Sequence, residues 1–426
     1  MAALDHDCFA GAEPLMRLDA ALALLSQRIR PVTQIERVPL EAALDRILAE
    51  DVTPTIDVPG HDNAAVDGYA VYFDDLDAVA ETCLPVVGRA AAGHPLMAPQ
   101  PRGTAVRIFT GAVMPTGVEG PGPDTVAMQE DCRVEGQQVW IASGLRRGLN
   151  RRKRGEDIAA GRTILAAGTR LRPQEVGLAA AAGFAQLPVR ARLKVALFST
   201  GDELAEPGQP LAAGTIHDTN RYTLGGLLRQ SGAAVSDLGI LPDRPDAVRL
   251  ALQVAARDHD LLLTSGGVSV GEEDHVKAAV TAMGRLHFWR LAIKPGRPIA
   301  LGQIDAAGRA VPFLGLPGNP VASMVTYLRL ARPLILGLMG ATDLEPARYR
   351  LPAAFSHRKK RDRREWLRAW IERDASGAPA AQKFPRDGSG ILSSMVAATG
   401  LVELPEDVTA VAPGDAVEFL PFAEMR

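Results

Sequence analysis

Cysteine is scarce: the chain holds three, Cys8, Cys83 and Cys132. They are too few and too scattered for a disulfide framework or a Cys-x-x-Cys zinc site, so reduced thiols in a cytoplasmic compartment are expected. Aromatic residues make up only 5% of the sequence, which leaves aliphatic side chains and alanine to fill the core. An excess of one charge is missing too. The net charge is −3, so no global positive field exists to hold nucleic acid. The basic stretch 146–154 lacks the interleaved aromatics on which single strands stack. No apolar run reaches the ~18 residues of a membrane span; the longest is expected near 176–184 and is alanine-rich. The first residues, MAALDHDCFAGAEP, carry acids where a secretory leader needs a basic start and an apolar stretch. The expectation is a soluble cytoplasmic protein with neither membrane nor nucleic acid as partner.

What is present is ordinary for a globular chain: 426 residues, 47% hydrophobic and 23% charged, enough for about three domains. Leu18, Ala21, Leu22, Leu25 and Ile29 fall at helical spacing, and Leu40, Leu44, Ile47 and Leu48 suggest a second helix. From 53 to 144 prolines and glycines break the text into short β-type runs. Residues 125–128 and 139–141, flanking a turn at Glu135-Gly136, read as hairpin material. Helical text returns at 173–183, with Pro173 at its start and Gly183 at its end. This predicts a helical domain I (1–52 and 145–186) with a β-rich domain II (53–144) inserted in it. Between 187 and 337 strand text (193–199, 235–240, 260–265, 311–316) alternates with helix text (219–231, 245–256, 273–283, 320–337). That alternation argues an α/β domain with a parallel-rich sheet. Residues 338–426 read as a small β-barrel-like domain.

In an open α/β sheet ligands bind beyond the carboxyl ends of the strands. The loops expected there are Ser199-Thr200-Gly201-Asp202-Glu203, Pro242-Asp243-Arg244, Ser265-Gly266-Gly267-Val268-Ser269-Val270-Gly271 leading into Asp274, and Leu316-Pro317-Gly318-Asn319-Pro320. Glycine lets backbone amides approach an anion, and a following helix N-terminus adds partial positive charge. One such loop is no more than a tight turn. Four on one edge make a phosphate-accepting rim. Lys294-Pro295-Gly296-Arg297-Pro298 places two cations on a stiff turn. At ~4 Å and an effective dielectric near 20, one charge pair is worth about 4 kcal/mol before desolvation. A small dianion would feel both the point charge of Lys294 and the planar fork of Arg297; a solvated surface turn is the alternative. Mg²⁺ takes one or two carboxylates plus substrate phosphates. Asp243 and Asp274, expected on adjacent loop edges, suit it, and each also reads as a helix cap. Gly267-x-Ser269-x-Gly271 matches the nucleophile elbow of serine hydrolases. No supported acid and histidine follow in hydrolase order, so Ser269 as an oxyanion ligand competes with Ser269 as nucleophile. Asp67 stands as an isolated acid in the polar turn 63–70, and Thr110 lies where the strand text 107–109 runs into a turn.

Together these segments resemble the MoeA family, the molybdopterin molybdenumtransferases of molybdenum-cofactor biosynthesis. The family's MDGYA stands as Val66-Asp67-Gly68-Tyr69-Ala70, its TGA as Thr110-Gly111-Ala112 and its GED as Gly155-Glu156-Asp157. STGDEL occupies 199–204, SGGVSVG 265–271 and LPGNP 316–320, while KPGKP appears with Arg297 in place of lysine. Asp362 replaces the family's glycine before Arg363-Arg364-Glu365-Trp366, and Ser393-Ser394 matches. The resemblance implies four domains, 187–337 being a molybdopterin-binding-like α/β domain. It implies a homodimer with a shared site, to which the other protomer brings Asp67 and Thr110. The implied reaction joins molybdate to adenylylated molybdopterin with release of AMP. Asp243 and Asp274 would hold Mg²⁺, with Glu203 nearby. Ser269, Lys294, Arg297, Pro298, Arg363 and Ser394 would hold molybdate. Thr200, Gly201, Gly266, Gly267, Pro317, Gly318 and Asn319 would hold the pterin and its phosphates. A molybdopterin adenylyltransferase is an implied partner. The rival readings are the serine hydrolase and a non-enzymatic dimeric scaffold.

Overall fold

The computed structural model describes residues 15–267, 275–373 and 377–425. Its centre is a six-stranded sheet. The strands are β1 (Lys194–Thr200), β2 (Ala234–Leu241), β3 (Leu261–Ser265), β4 (Gly284–Arg290), β5 (Pro298–Ala306) and β6 (Arg309–Leu316), in spatial order β2-β1-β3-β6-β5-β4. The first four in that order run parallel; β5 and β4 continue antiparallel. Side chains alternate across a strand, and both faces are covered. Val195, Leu197, Leu261, Leu263 and Leu314 pack on one side, against helix α1 (Asn220–Gln230). Ala196, Phe198, Leu262 and Phe313 pack on the other, against α2 (Pro245–Asp258) and α3 (His275–Met283). Burial on both faces explains the unbroken apolar text of β3, LLLTS. Phe198 and Phe313, essentially inaccessible, each contribute roughly 1.5–3 kcal/mol.

The hairpin β5–β6 was absent from the alternation reading. Its turn places Ala307 (φ 50) and Gly308 (φ 76) in the left-handed region. That is a primed turn with alanine where Asn or Asp would have signalled it. The last helix runs from Pro320 to Leu338: α4 (Pro320–Thr326), a π-helical stretch Tyr327–Ala331, then α5 (Arg332–Leu338). By length and composition these 19 residues could cross a membrane, which corrects the expectation that the longest apolar run lies near 176–184. Their window is 94% buried inside the protein. A helix surrounded by core is apolar all round.

Helix Leu18–Arg28 sends Leu18, Ala21 and Leu25 into this same core. The helix expected around 40–48 is only a 3₁₀ turn, Leu40–Ala42. Asp45 at φ 61 breaks it, and Ile47 and Leu48 instead bridge Arg170 and Val189. Strand Ile35–Pro39 pairs with Gln186–Arg190, and Val52 and Val58 bridge Leu165 and Ile158. The two arms flanking the insert thus lie side by side. In the insert the sheet order is Thr125–Met128, Gly68–Val71, Ala105–Ile108, Thr82–Ala90, Gln138–Ile141, Cys132–Glu135. The hairpin partner of 138–141 is therefore 132–135, and 125–128 lies on the opposite edge. The C-terminal sheet is built on Arg364–Arg373, flanked by Gly400–Leu404 and by the two-residue strand Ile293–Lys294 that leaves the α/β domain between β4 and β5.

Candidate active site

A cavity of about 1120 Å³ opens at the carboxyl ends of β1, β3 and β6. Thr200, Ser265-Gly266-Gly267 and Pro317-Gly318-Asn319 form one wall. Arg363, Glu365, Trp366 and Arg368 of the C-terminal domain, with 387–390 and Leu392, contribute the other. Gly267 sits at φ 61, and a Cβ there would fall 2.3 Å from Thr200 Oγ1. Only glycine fits this approach of loop to strand. Asn220, the first residue of α1, donates through Nδ2 to Ser265 Oγ (2.7 Å) and to the Gly318 carbonyl (2.6 Å). One amide therefore braces both glycine loops. Pro320 opens α4 with Asn319 before it; the proline has no N–H to offer, and the Val321 amide donates to the Ser389 carbonyl of the opposite wall (2.9 Å).

Four cations line the cavity: Lys294, Arg297, Arg363 and Arg368. The β-bridge between domains sets Lys294 beside Glu365 in register. Lys294 Nζ donates to Glu365 Oε1 at 2.6 Å, His357 Nε2 lies 3.3 Å from the same oxygen, and Arg363 Nη2 lies 3.4 Å from Oε2. Burial alone would push the Glu365 carboxyl up. Hydrogen bonds from His357 and Lys294 outweigh it and hold the carboxyl at about 2. On the same strand, Trp366 Nε1 donates to Glu403 (2.7 Å), which also faces Arg329 (3.5 Å) of the π-helical stretch. Arg364 forks onto Asp19 with two bonds of 2.8 Å. Ionic ties thus join this strand to the α/β domain through Lys294 and to the N-terminal helix through Asp19.

The depressed Glu365 carboxyl predicts a pH effect. A group whose folded value lies below its ordinary 4.5 stabilises fully above that pH and loses the contribution as pH falls toward 2. The window is therefore acid, and the amount is on the order of 3 kcal/mol. Thermal midpoints followed from pH 5 to pH 2 should fall more steeply in the wild type than in Glu365→Gln. Parallel curves contradict the assignment.

Thr200, Glu203, Gly266, Gly267, Lys294, Arg297, Pro298, Pro317, Gly318, Asn319 and Arg363 all line the cavity. Gly201, at φ 143, adjoins Glu203 without lining it. Asp243 follows β2 and does not line it either. Strand β1 runs between β2 and β3, so the loops bearing Asp243 and Asp274 are not on adjacent strands, contrary to expectation. Ser269 and Asp274 lie outside the described residues. Ser394 is fully buried and does not line the cavity: its Oγ accepts from Arg368 Nε (3.1 Å) and donates to the Ile391 carbonyl (2.6 Å). Arg368, overlooked in the sequence, occupies the wall instead. Its Nη2 donates to the Arg386 and Gly388 carbonyls (2.9 and 3.3 Å), and burial holds its guanidinium below the ordinary value.

Asp67 and Thr110 meet each other in the insert, away from this cavity. Asp67 Oδ1 accepts from the Thr110 amide and hydroxyl, both at 2.7 Å, and the amide bond leads in lowering the carboxyl. Asp362 has φ 60, a left-handed conformation natural to glycine and tolerated by aspartate. Among the described residues no group of three or more His, Cys, Asp or Glu side chains could hold a metal ion.

A doubly wound α/β domain with a cation-lined cavity at the carboxyl ends of its strands, closed by an appended β domain, is the class of protein defined so far. Three family models match along the chain: the MoeA N-terminal region (domain I and II) at 16–183, a probable molybdopterin binding domain at 196–337, and the MoeA C-terminal region (domain IV) at 350–422. The chain is 37% identical over 410 residues to a molybdopterin molybdenumtransferase of Haemophilus influenzae, covering 96% of this chain and 99% of that protein. It is 40% identical to one of Nostoc over 73% of this chain and 71% of that one. Two crystal structures of the Pyrococcus horikoshii molybdopterin biosynthesis MoeA protein superpose with TM-scores of 0.80 and 0.73. They are 28% and 30% identical; both cover 96% of this chain, and 100% and 99% of theirs. The chain belongs to the MoeA family.

Proposed function

We propose that this chain transfers molybdenum from molybdate to the dithiolene of adenylylated molybdopterin and releases AMP. One observation carries the reading: Lys294, Arg297 and Arg363 converge on the same cavity as the two glycine loops. Its volume of about 1120 Å³ exceeds the 300–1,000 Å³ of ordinary ligand pockets, which suits a pterin carrying a nucleotide. The glycine loops would hold the phosphates, and the cations would hold the tetrahedral dianion. Catalysis is then positioning and charge stabilisation, with no covalent nucleophile. The relatives lend the serine-hydrolase reading no support.

Mg²⁺ fits the carboxylates at hand, since it binds through one or two of them and completes its shell with substrate oxygens. Asp243 and Asp274, as the resemblance implies, would hold it with Glu203 of the cavity wall nearby, and the ion would neutralise phosphate charge as AMP leaves. Asp67 and Thr110, already joined, would enter the cavity of a second protomer in a homodimer. A molybdopterin adenylyltransferase would supply the substrate in the cytoplasm. The test is incubation with adenylylated molybdopterin, Mg²⁺ and molybdate. AMP release matched by cofactor formation is expected; a chain inert in both is a scaffold.

A further inference from the structure

We propose that Glu365 is a positioning residue for the oxyanion subsite, holding Lys294 of the α/β domain toward the cavity. The inference rests on the reading of that cavity as a molybdate site. Glu365 is only 1% exposed while Lys294 is 41% exposed. A lysine on such a surface ordinarily samples many rotamers, and immobilising it costs side-chain entropy. Here the backbone is set by packing: a Cβ on Gly296 would fall 2.4 Å from Thr326 Cγ2 of α4. The side chain is set by the carboxylate 2.6 Å away. His357, itself buried, supplies a second donor to the same oxygen at 3.3 Å. The carboxylate is thereby pinned from its own domain and does not follow the lysine. An oxyanion arriving at the cavity meets Lys294 already aimed, so less ordering is left to the binding step. The cost is that one negative charge stands beside the cations.

The experiment is a double-mutant cycle read by calorimetric titration of sodium molybdate into the full-length protein. Glu365→Gln should weaken molybdate binding about 10-fold and Lys294→Ala about 100-fold. The double variant should bind no more weakly than Lys294→Ala alone, because residues that act as a unit are not additive. A general loosening of the domain interface would lower affinity equally in both backgrounds, and additive losses therefore overturn the proposal. Unchanged or tighter binding in Glu365→Gln overturns it as well, by making the residue a mere counter-charge. Should Glu365→Gln not fold, Glu365→Asp runs the same cycle. A wild-type protein that takes up no molybdate instead refutes the functional reading, and this inference with it.

Discussion

Lys294→Ala raises the molybdate concentration needed for half-maximal AMP release about 100-fold and leaves the concentration of adenylylated molybdopterin required nearly unchanged. The magnitude follows from the bond lost. A hydrogen bond to a charged group contributes about 1.5–3 kcal/mol, and 1.4 kcal/mol is tenfold. The selectivity follows from geometry. Lys294 stands with Arg297 and Arg363 on the cation-lined part of the cavity, whereas the pterin's phosphates are assigned to the loops at 265–267 and 317–319. Removing the ammonium also leaves the buried Glu365 with only the longer contacts to His357 (3.3 Å) and Arg363 (3.4 Å). Some loss of thermal stability therefore accompanies the kinetic effect. Saturation curves in each substrate check this, and an equal loss for both substrates contradicts the division of the cavity.

Gly68→Ala unfolds or severely weakens the inserted domain. The residue pairs with Ile108 on one side and Met128 on the other. A Cβ there would lie 1.9 Å from the Ala127 carbonyl oxygen and 2.9 Å from its carbon. No side-chain rotation relieves a clash with the backbone of a neighbouring strand, so a ladder must open. Ordinary overpacking costs about 1–3 kcal/mol, and at least the top of that range is expected here. For a domain of this size each kcal/mol moves the melting midpoint by roughly 4–8 °C. Calorimetry should show the insert's transition displaced by more than about 10 °C. The neighbouring Asp67–Thr110 pair goes with it, so activity in a shared-site dimer falls as well. A variant with wild-type melting overturns the steric account.

Legibility in the sequence depended on how local the determinant was. The parallel half of the central sheet and its helices could be read from apolar runs and capping signals, because each strand there is followed by a helix of matching period. Strands β4 and β5 escaped because they return through hairpins, and the turn at Ala307-Gly308 carries no Asn or Asp. The 40–48 segment misled because four apolar residues at helical spacing also serve a chain broken at Asp45. In the site, the glycine loops and the Lys294–Arg297 turn announced themselves by composition. Arg368 and Glu365 did not, although charges on both faces of a strand about to be buried were the available sign. That Ser394 is buried against Arg368 is likewise decided by the fold.

Local chemistry written along the chain therefore determined the α/β core, the glycine loops at its strand ends and the two cations of the stiff turn, since each depends on residues a few positions apart. The tertiary structure alone decided that Lys294 stands in register with Glu365, 71 positions away. It also decided that Asn220 ties Ser265 to Gly318, and that Asp67 and Thr110 lie outside this protomer's cavity. Those pairings come from strand register and domain docking, where burial of distant segments against one another selects the contact and no short spacing encodes it.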